Sequence, residues 1–393
     1  MLCREWRGGQ GDFIVAVQLD AEARVVTTVE VTDAPALRDG PCAALLADGA
    51  LLVAWSEIVD GVAQLVGARV EGGAVLRLAL SAGTAPARDP ALALAADGTP
   101  WLAWEQWVDA DGGGSFDVVA APLVDGVPGP GVVVAAGPGS DLDPVLARAG
   151  STLWVGWCGF VGNDYEVAVR PLAPAGSALP VSAEARADDL HPALAGAEDG
   201  RLWVAWDRLV DGRRGSSLPA DSREEGRAAP VEQSVRVQVA CVRNGTVELE
   251  AAAGEWNAGE VPGAALLGWG GGVPALAIDR AGRPWLATRH LAQSSSRDRR
   301  AGHPLLLQTR IDGAWSLPQE LAESASACDA AALAPLAGGV LVAAQADRRM
   351  RTGSLWNVAG LPAVLKKAAA AAGDEFATWT GPSALSLGVA DAA

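Results

Sequence analysis

The chain has 393 residues, half of them apolar and a fifth charged, with a formal net charge of −17. Such a composition describes a globular protein with room for a large core and excludes a disordered chain. The acidic balance repels a phosphate backbone, which argues against nucleic acid, and no apolar run reaches the roughly 18 to 20 residues that span a bilayer. Glycine (47), proline (24) and tryptophan (15) are plentiful, a mixture suited to short strands joined by tight turns. The opening "MLCREWRGGQGDF" lacks the apolar core of a signal peptide, so the sequence as it stands predicts a cytoplasmic protein, and a monomer is expected. The cysteines Cys3, Cys42, Cys158, Cys241 and Cys328 stand singly, as small buried hydrophobes do and as zinc knuckles do not.

Along the chain one phrase recurs: "RDGPCAALLADGALLVAWSEIVDG" (38–61), "RDPALALAADGTPWLAWEQWVDADG" (88–112) and "DDLHPALAGAEDGRLWVAWDRLVDG" (188–212). Its proline gives anchors at Pro41, Pro90, Pro144, Pro192 and Pro274, with Ala330 and Pro382 in two weaker copies. The spacings of 49, 54, 48, 82, 56 and 52 residues cluster near 50, and the 82 marks an insertion. Each copy reads as an apolar run, a turn such as Asp97-Gly98, a tryptophan run such as "LWVAW", a polar loop, a β-rich run such as "YEVAVRPL", a second turn and a last short strand. Four antiparallel strands per 50 residues predict a propeller blade. Tryptophans three apart (Trp101 and Trp104, Trp154 and Trp157, Trp203 and Trp206) face opposite sides of a strand, which suits sheets buried on both faces.

The expected architecture is therefore all-β: a seven-bladed β-propeller, with six blades as the alternative, forming one domain over residues 1–393. A polar, charge-mixed loop is expected at about 208–234 and a short surface helix at 361–376. Residues 382–393 read as the first strand of a blade whose other strands come from residues 1–40. The ring is thus expected to close through a blade shared by the two termini, with 384–389 pairing near 2–6.

The loops after the tryptophan runs and the segments before the anchors share one face, where loop elaboration places candidate sites. The expected ligand- or partner-binding residues are Glu57, Glu105, Asp207, Arg208, Arg289, His290 and His191. Asp39, Asp89, Asp143, Asp189 and Asp329 read as caps of the blade-linking turns. His191, His290 and His303 map to the same face, but ordinary surface roles fit them better than a metal site, and neither a metal nor a cofactor is expected.

The phrase P-A-L-A-x-D-x-x-G-x-x-W-V-A-W, with "GNDYEVAVR" (162–170), "PALAIDRAGRPWLATRH" (274–290) and "DGAWSLPQELAES" (312–324), resembles WD40-like and sialidase-like bacterial propellers. It looks most like the propeller region that precedes a metal-dependent, phosphoesterase-like domain in certain bacterial proteins. The sialidase signature S-x-D-x-G-x-T-W is absent, and so is a second domain rich in His and Asp. Such motifs imply a fold and not a chemistry. The expected function is a binding or scaffolding propeller whose acidic face contacts a protein, a carbohydrate or a small molecule. The alternative is a hydrolase acting on a glycan or small ester in the central funnel. Two carboxylates roughly 5 to 10 Å apart, one with a raised pKa, would be needed to cleave a glycoside; Glu57, Glu105 and Asp207 are the candidates.

Overall fold

A computed structural model describes residues 1–7, 11–20, 24–81, 83–110, 113–182, 187–211, 233–250, 273–289, 305–316, 318–320, 327–336, 339–347 and 384–391. The polar insertion (212–232), the 361–376 segment, His290 and His303 lie outside these residues, and so does the side chain of Arg289. All regular structure among the described residues is β-strand. The strands form seven antiparallel sheets in chain order.

The second sheet shows the pattern that the sequence period predicts: Arg38–Leu45, Leu51–Val59, Val62–Glu71 and Ala74–Ala79 pair in succession. The turn between its second and third strands is Asp60-Gly61, both residues at positive φ, the two-residue hairpin that matches strand twist. Asp125-Gly126, Asn244-Gly245 and Asp312-Gly313 repeat that geometry in later sheets. The third, fourth, fifth and sixth sheets begin at Ala87, Asp141, Ala187 and Ala275.

Stacking gives the fold its core. Trp55 packs with Ile14 and Val53 between the first and second sheets. Trp104 packs with Leu52 and Leu102 between the second and third, whereas Trp101, three residues earlier, faces the fourth. Trp206 and Trp203 divide in the same way between the fourth and sixth sheets. Sheets buried on both faces and stacked about a common axis make a β-propeller, and the period-two facing of its strands follows from the tryptophan spacing. Three of these indole N–H groups meet a polar group: Trp55 donates to Glu57 at 3.0 Å, Trp104 to Gln106 at 3.2 Å and Trp206 to Asp189 at 2.8 Å.

The anchor prolines mark a bulge in the first strand of each of these sheets. Between Asp39 and Cys42 the pair Gly40-Pro41 opposes the single residue Trp55. Asp89-Pro90 opposes Trp104, Asp143-Pro144 opposes Trp157, and His191-Pro192 opposes Trp206. Two residues against one is a β-bulge, which bends the strand and re-aims a side chain. Gly40, Asp89, Asp143 and His191 all adopt left-handed backbone, with φ between 49° and 56°.

The two termini differ from the expected shared blade. Ala384–Asp391 pairs with Gly339–Asp347 and becomes the third strand of the last sheet, which begins with Ala327–Pro335. Leu2–Arg7 pairs with Gly11–Leu19, and Val25–Glu30 completes that three-stranded first sheet. The physical reason lies in the edge of Gly339–Asp347. Val340 and Val342 on it are buried, and a strand with a buried side chain row needs its outer N–H and C=O groups paired. The small, alternating residues of "ALSLGVAD" supply that pairing over eight positions, Gly339 to Ala346.

The tryptophans therefore act as interlayer packing. Trp206→Ala, at a position with no solvent exposure, should lower the unfolding free energy by about 3 to 5 kcal/mol through the cavity it leaves. Chemical denaturation of parent and variant measures this, and a loss below about 1 kcal/mol would contradict the packing role.

Candidate functional site at the channel mouth

The first strands of six sheets face a common axis. Four of their bulges border a cavity of about 230 Å³ lined by Gly40, Asp89, Asp143, Val145, His191 and Val273, together with Pro90, Pro144, Pro192 and Pro274. The left-handed turn of the backbone thus carries Asp89, Asp143 and His191 from three successive sheets into one space. Left-handed backbone at a non-glycine residue is uncommon, and Asp and His tolerate it better than most.

Each bulge leaves a backbone N–H outside the strand ladder, and proline contributes none. At Gly40 the acceptor is Asp39 of the same strand; at the next three bulges the preceding sheet supplies it. Asp89 N donates to Ser56 Oγ at 2.9 Å, Asp143 N donates to Glu105 Oε1 at 2.8 Å, and the N–H of His191 is directed at the Cys158 sulfur. Ser56, Glu105 and Cys158 all directly follow the last tryptophan of their runs. The residue at the same place in the fifth sheet, Asp207, turns instead to its own sheet: its Oδ2 lies 3.1 Å from His191 Nδ1. The His191 ring, with that buried carboxylate beside its Nδ1, lines the cavity. The His191 side chain is 47% exposed and that of Asp207 only 6%.

These contacts locate the residues expected from sequence. Glu105 is 1% exposed, bound at Oε1 by the Asp143 N–H and at Oε2 by Arg88 Nε at 2.7 Å. Glu57 accepts from Arg38 Nε at 2.7 Å, from Arg77 and from the Trp55 indole. Arg208 forms a two-pronged pair with buried Asp189, at 2.8 and 3.0 Å. None of Glu57, Glu105, Asp207 and Arg208 lines the cavity; His191 does. Asp89 and Asp143, read from sequence as turn caps, line it as well. Asp39 does cap, accepting the Gly40 N–H at 3.0 Å, because it stands one residue before the bulge position and not at it. The proline step was the available signal: the residue directly before each anchor is the one the bulge turns inward.

Electrostatics divide these carboxyls. Burial pushes Glu105 up to about 7, aided by the charge of Asp89 and opposed by the Asp143 N–H and Arg88. Asp89 is also raised, first by burial and then by the carboxylates of Asp143 and Asp39, against the pull of Arg88. In Glu57 burial is outweighed by the Trp55 N–H and by Arg38 and Arg77, so its carboxyl lies below the usual range. Burial and the nearby Asp143 carboxylate raise the Cys158 thiol, which is therefore a neutral sulfur and not a nucleophile. Among the described residues no group of three or more His, Cys, Asp or Glu side chains could hold a metal ion. No helix among them is long and apolar enough to cross a membrane.

No protein-family model matches the chain, and no curated protein matches it either. Nothing in these comparisons supports a link to phosphoesterase-associated propellers. Solved structures share the fold. An ulvan lyase of polysaccharide lyase family PL25 superposes with a TM-score of 0.52 at 10% identity, covering 79% of each chain. A protein of unknown function from Dyadobacter fermentans gives 0.51 at 12% identity, covering 85% of this chain and 93% of that one. The α-L-arabinanase of Penicillium chrysogenum, complexed with arabinobiose, gives 0.46 at 12%, over 78% and 88% of the two chains. Identities this low speak to architecture alone.

The Glu105 carboxyl makes stability depend on pH. Its folded pKa of about 7 lies above its ordinary 4.5, so between these values the folded state holds a proton that the unfolded state has released. Stability from this group is full below pH 4.5, falls as pH rises to about 7 and is level beyond. Glu105→Gln keeps an acceptor for the Asp143 N–H and removes the titration. The melting temperature of the variant relative to the parent should therefore rise between pH 4.5 and 7. A constant difference across that window would show that Glu105 is not protonated in the fold.

Proposed function

We propose that the protein is a carbohydrate-active hydrolase that cleaves a glycosidic bond at the channel mouth. The observation that carries this reading is the convergence of Asp89, Asp143 and His191 on one cavity, by the same left-handed bulge in three neighbouring sheets. Two carboxyl groups in unequal environments are what such chemistry asks for. Asp89, raised by burial and by its acidic neighbours, takes the general acid's role. It donates a proton to the leaving oxygen as the glycosidic C–O bond breaks. Asp143, with its backbone fixed through Glu105, takes a proton from the attacking water, whose oxygen forms the new bond to the anomeric carbon. His191, oriented by Asp207, meets a substrate hydroxyl. A sugar-sized polar ligand also suits the fold's occurrence in a polysaccharide lyase.

Glu105 and Asp207 are positioning residues in this scheme: one holds the Asp143 backbone and the other the His191 ring. Arg88 sits beside both Asp89 and Glu105, at 3.4 and 2.7 Å, and limits how far either carboxyl is raised.

The test is hydrolysis of a panel of polysaccharides and aryl glycosides. Asp89→Asn and Asp143→Asn should each lower kcat by roughly 10²-fold or more, as loss of a general acid or base does, with melting temperatures close to the parent's. Because Asp89 acts protonated, kcat/KM should fall on the alkaline side as it ionises, and that limb should vanish in the residual activity of Asp89→Asn. Equal activity in parent and variants would refute the assignment. Binding of panel members without cleavage would leave a non-catalytic glycan-binding propeller.

A further inference from the structure

Above each bulge the second strand runs on toward the rim of the mouth. Three residues beyond Trp55, Trp104, Trp157 and Trp206 stand Ile58, Trp107, Phe160 and Leu209. The fold accepts an aliphatic side chain at this place, since two of the four are isoleucine and leucine. In the third and fourth sheets, which supply Asp89 and Asp143, the residue is aromatic and meets a second aromatic across the hairpin. Trp107 meets Phe116 with ring centres 5.1 Å apart and planes at 71°, and Phe160 meets Tyr165 at 5.3 Å and 65°. The second pair belongs to the core, because Tyr165 packs against the cluster of Cys158 and Trp206. Neither Trp107 nor Phe116 joins the clusters that pack the third sheet against its neighbours.

The half-buried Trp107 indole is nevertheless held in place. Its Nε1–H donates to Asp109 Oδ1 at 2.9 Å, and its backbone N–H donates to Pro86 O at 2.8 Å. A Cβ on Gly114 would fall on its six-membered ring. Gly113 has a positive φ of 150° and Gly114 does not, so at Gly114 it is the ring that excludes a side chain. The Arg88 guanidinium lies 4.0 Å from the centre of Phe116 and 3.4 Å from Asp89. One guanidinium thus links the aromatic pair to a carboxyl of the mouth.

We infer that Trp107, seated on Gly114 and Phe116, is a second sugar-binding position beside the mouth, so that the ligand is a neutral glycan of several linked rings. One ring lies among Asp89, Asp143 and His191, and a later one stacks on the indole. The inference rests on the reading of the mouth as a carbohydrate site and adds the class of carbohydrate. A sugar ring has an apolar C–H face and carries its hydroxyls at the edge. Stacking therefore buries apolar surface and leaves the hydroxyls in water, with no donor stranded. Charge selects neutrality. Asp109 stands beside the indole, Asp89 and Asp143 line the mouth, and Arg88 is already shared between Asp89 and Glu105. A uronate or sulfated chain would meet like charge along this path.

Calorimetric titration with xylo-, cello-, manno- and arabino-oligosaccharides of one to five units tests this, with oligogalacturonides as the acidic counterpart and KM in place of Kd where a chain is cleaved. In at least one neutral series affinity should rise by roughly three- to tenfold at the length that reaches the indole, the worth of one aromatic contact. Oligogalacturonides should bind more weakly. The rise should be lost in Trp107→Ala and in Gly114→Ala, which keeps the indole but displaces it. Trp107→Leu keeps apolar packing on Phe116 without a flat ring, and it should lose the rise even if Trp107→Ala proves unstable. Val108→Ala, on the opposite face of the same strand, should retain it. No binding of any neutral series, affinity independent of length in all of them, a rise that survives in Trp107 variants with the parent's melting temperature, or a preference for oligogalacturonides would each overturn the inference. Length-dependent binding that is lost with Trp107, without hydrolysis, removes the catalytic reading and leaves the stacking position standing. Hydrolysis with no length dependence does the reverse.

Discussion

The orphan N–H at each bulge links the repeat, the stacking of the sheets and the channel mouth. A first strand that places two residues against one tryptophan cannot keep both of them in its ladder. Proline at the second position removes one donor from the problem, and the other must find an acceptor outside the ladder: Asp39 of its own strand for Gly40, a group of another sheet for the next three. Ser56, Glu105 and Cys158 provide it from the sheet before.

The three acceptors differ in chemistry, and the differences have consequences. A hydroxyl serves Asp89 without charge. A thiol is a weak acceptor for His191, whose ring is held separately by Asp207. A carboxyl serves Asp143, where its negative form would make the strongest bond of the three, yet burial and the charge of Asp89 favour the neutral form. Glu105 therefore lies between two opposing demands, and Arg88 moderates them from the far oxygen. An acid so placed has the pKa of a catalytic group without reaching the cavity. A perturbed pKa marks a site only together with geometry.

Much of the architecture was legible because it rests on periodic quantities. A repeat near 50 residues, paired tryptophans three apart and Asp-Gly turns each have one structural meaning, and the sheets follow them. The bulge breaks alternation by one residue, so the facing of side chains on either side of Pro90 or Pro144 could not be read from period two alone. Hence Asp39, Asp89 and Asp143 looked alike in sequence although only the latter two occupy the inward position. Glu105 looked like a ligand group because its partner is a backbone N–H in another sheet, and a backbone donor leaves no mark in sequence. The C-terminal strand misled for a related reason. "ALSLGVAD" has the small alternating residues of a first strand, but those residues fit the unpaired edge of Gly339–Asp347 as well.

The ring of residues at the mouth shows how a repeat can diversify without loss of fold. What the bulge requires is a backbone at φ near 50° and an acceptor for one N–H. It places no demand on what the side chain does beyond the Cβ. Glycine meets the conformational requirement at no cost at Gly40, and Asp and His meet it more readily than most residues at Asp89, Asp143 and His191. The backbone thus narrows the choice to a few residue types, two of which, Asp and His, are titratable. Within that choice the neighbours decide the chemistry. Asp89 stands beside Arg88 and other carboxylates, and His191 stands over a buried aspartate of its own sheet. One conformational constraint, repeated around an axis, supplies unlike groups to a single cavity because each sheet surrounds its inward residue differently.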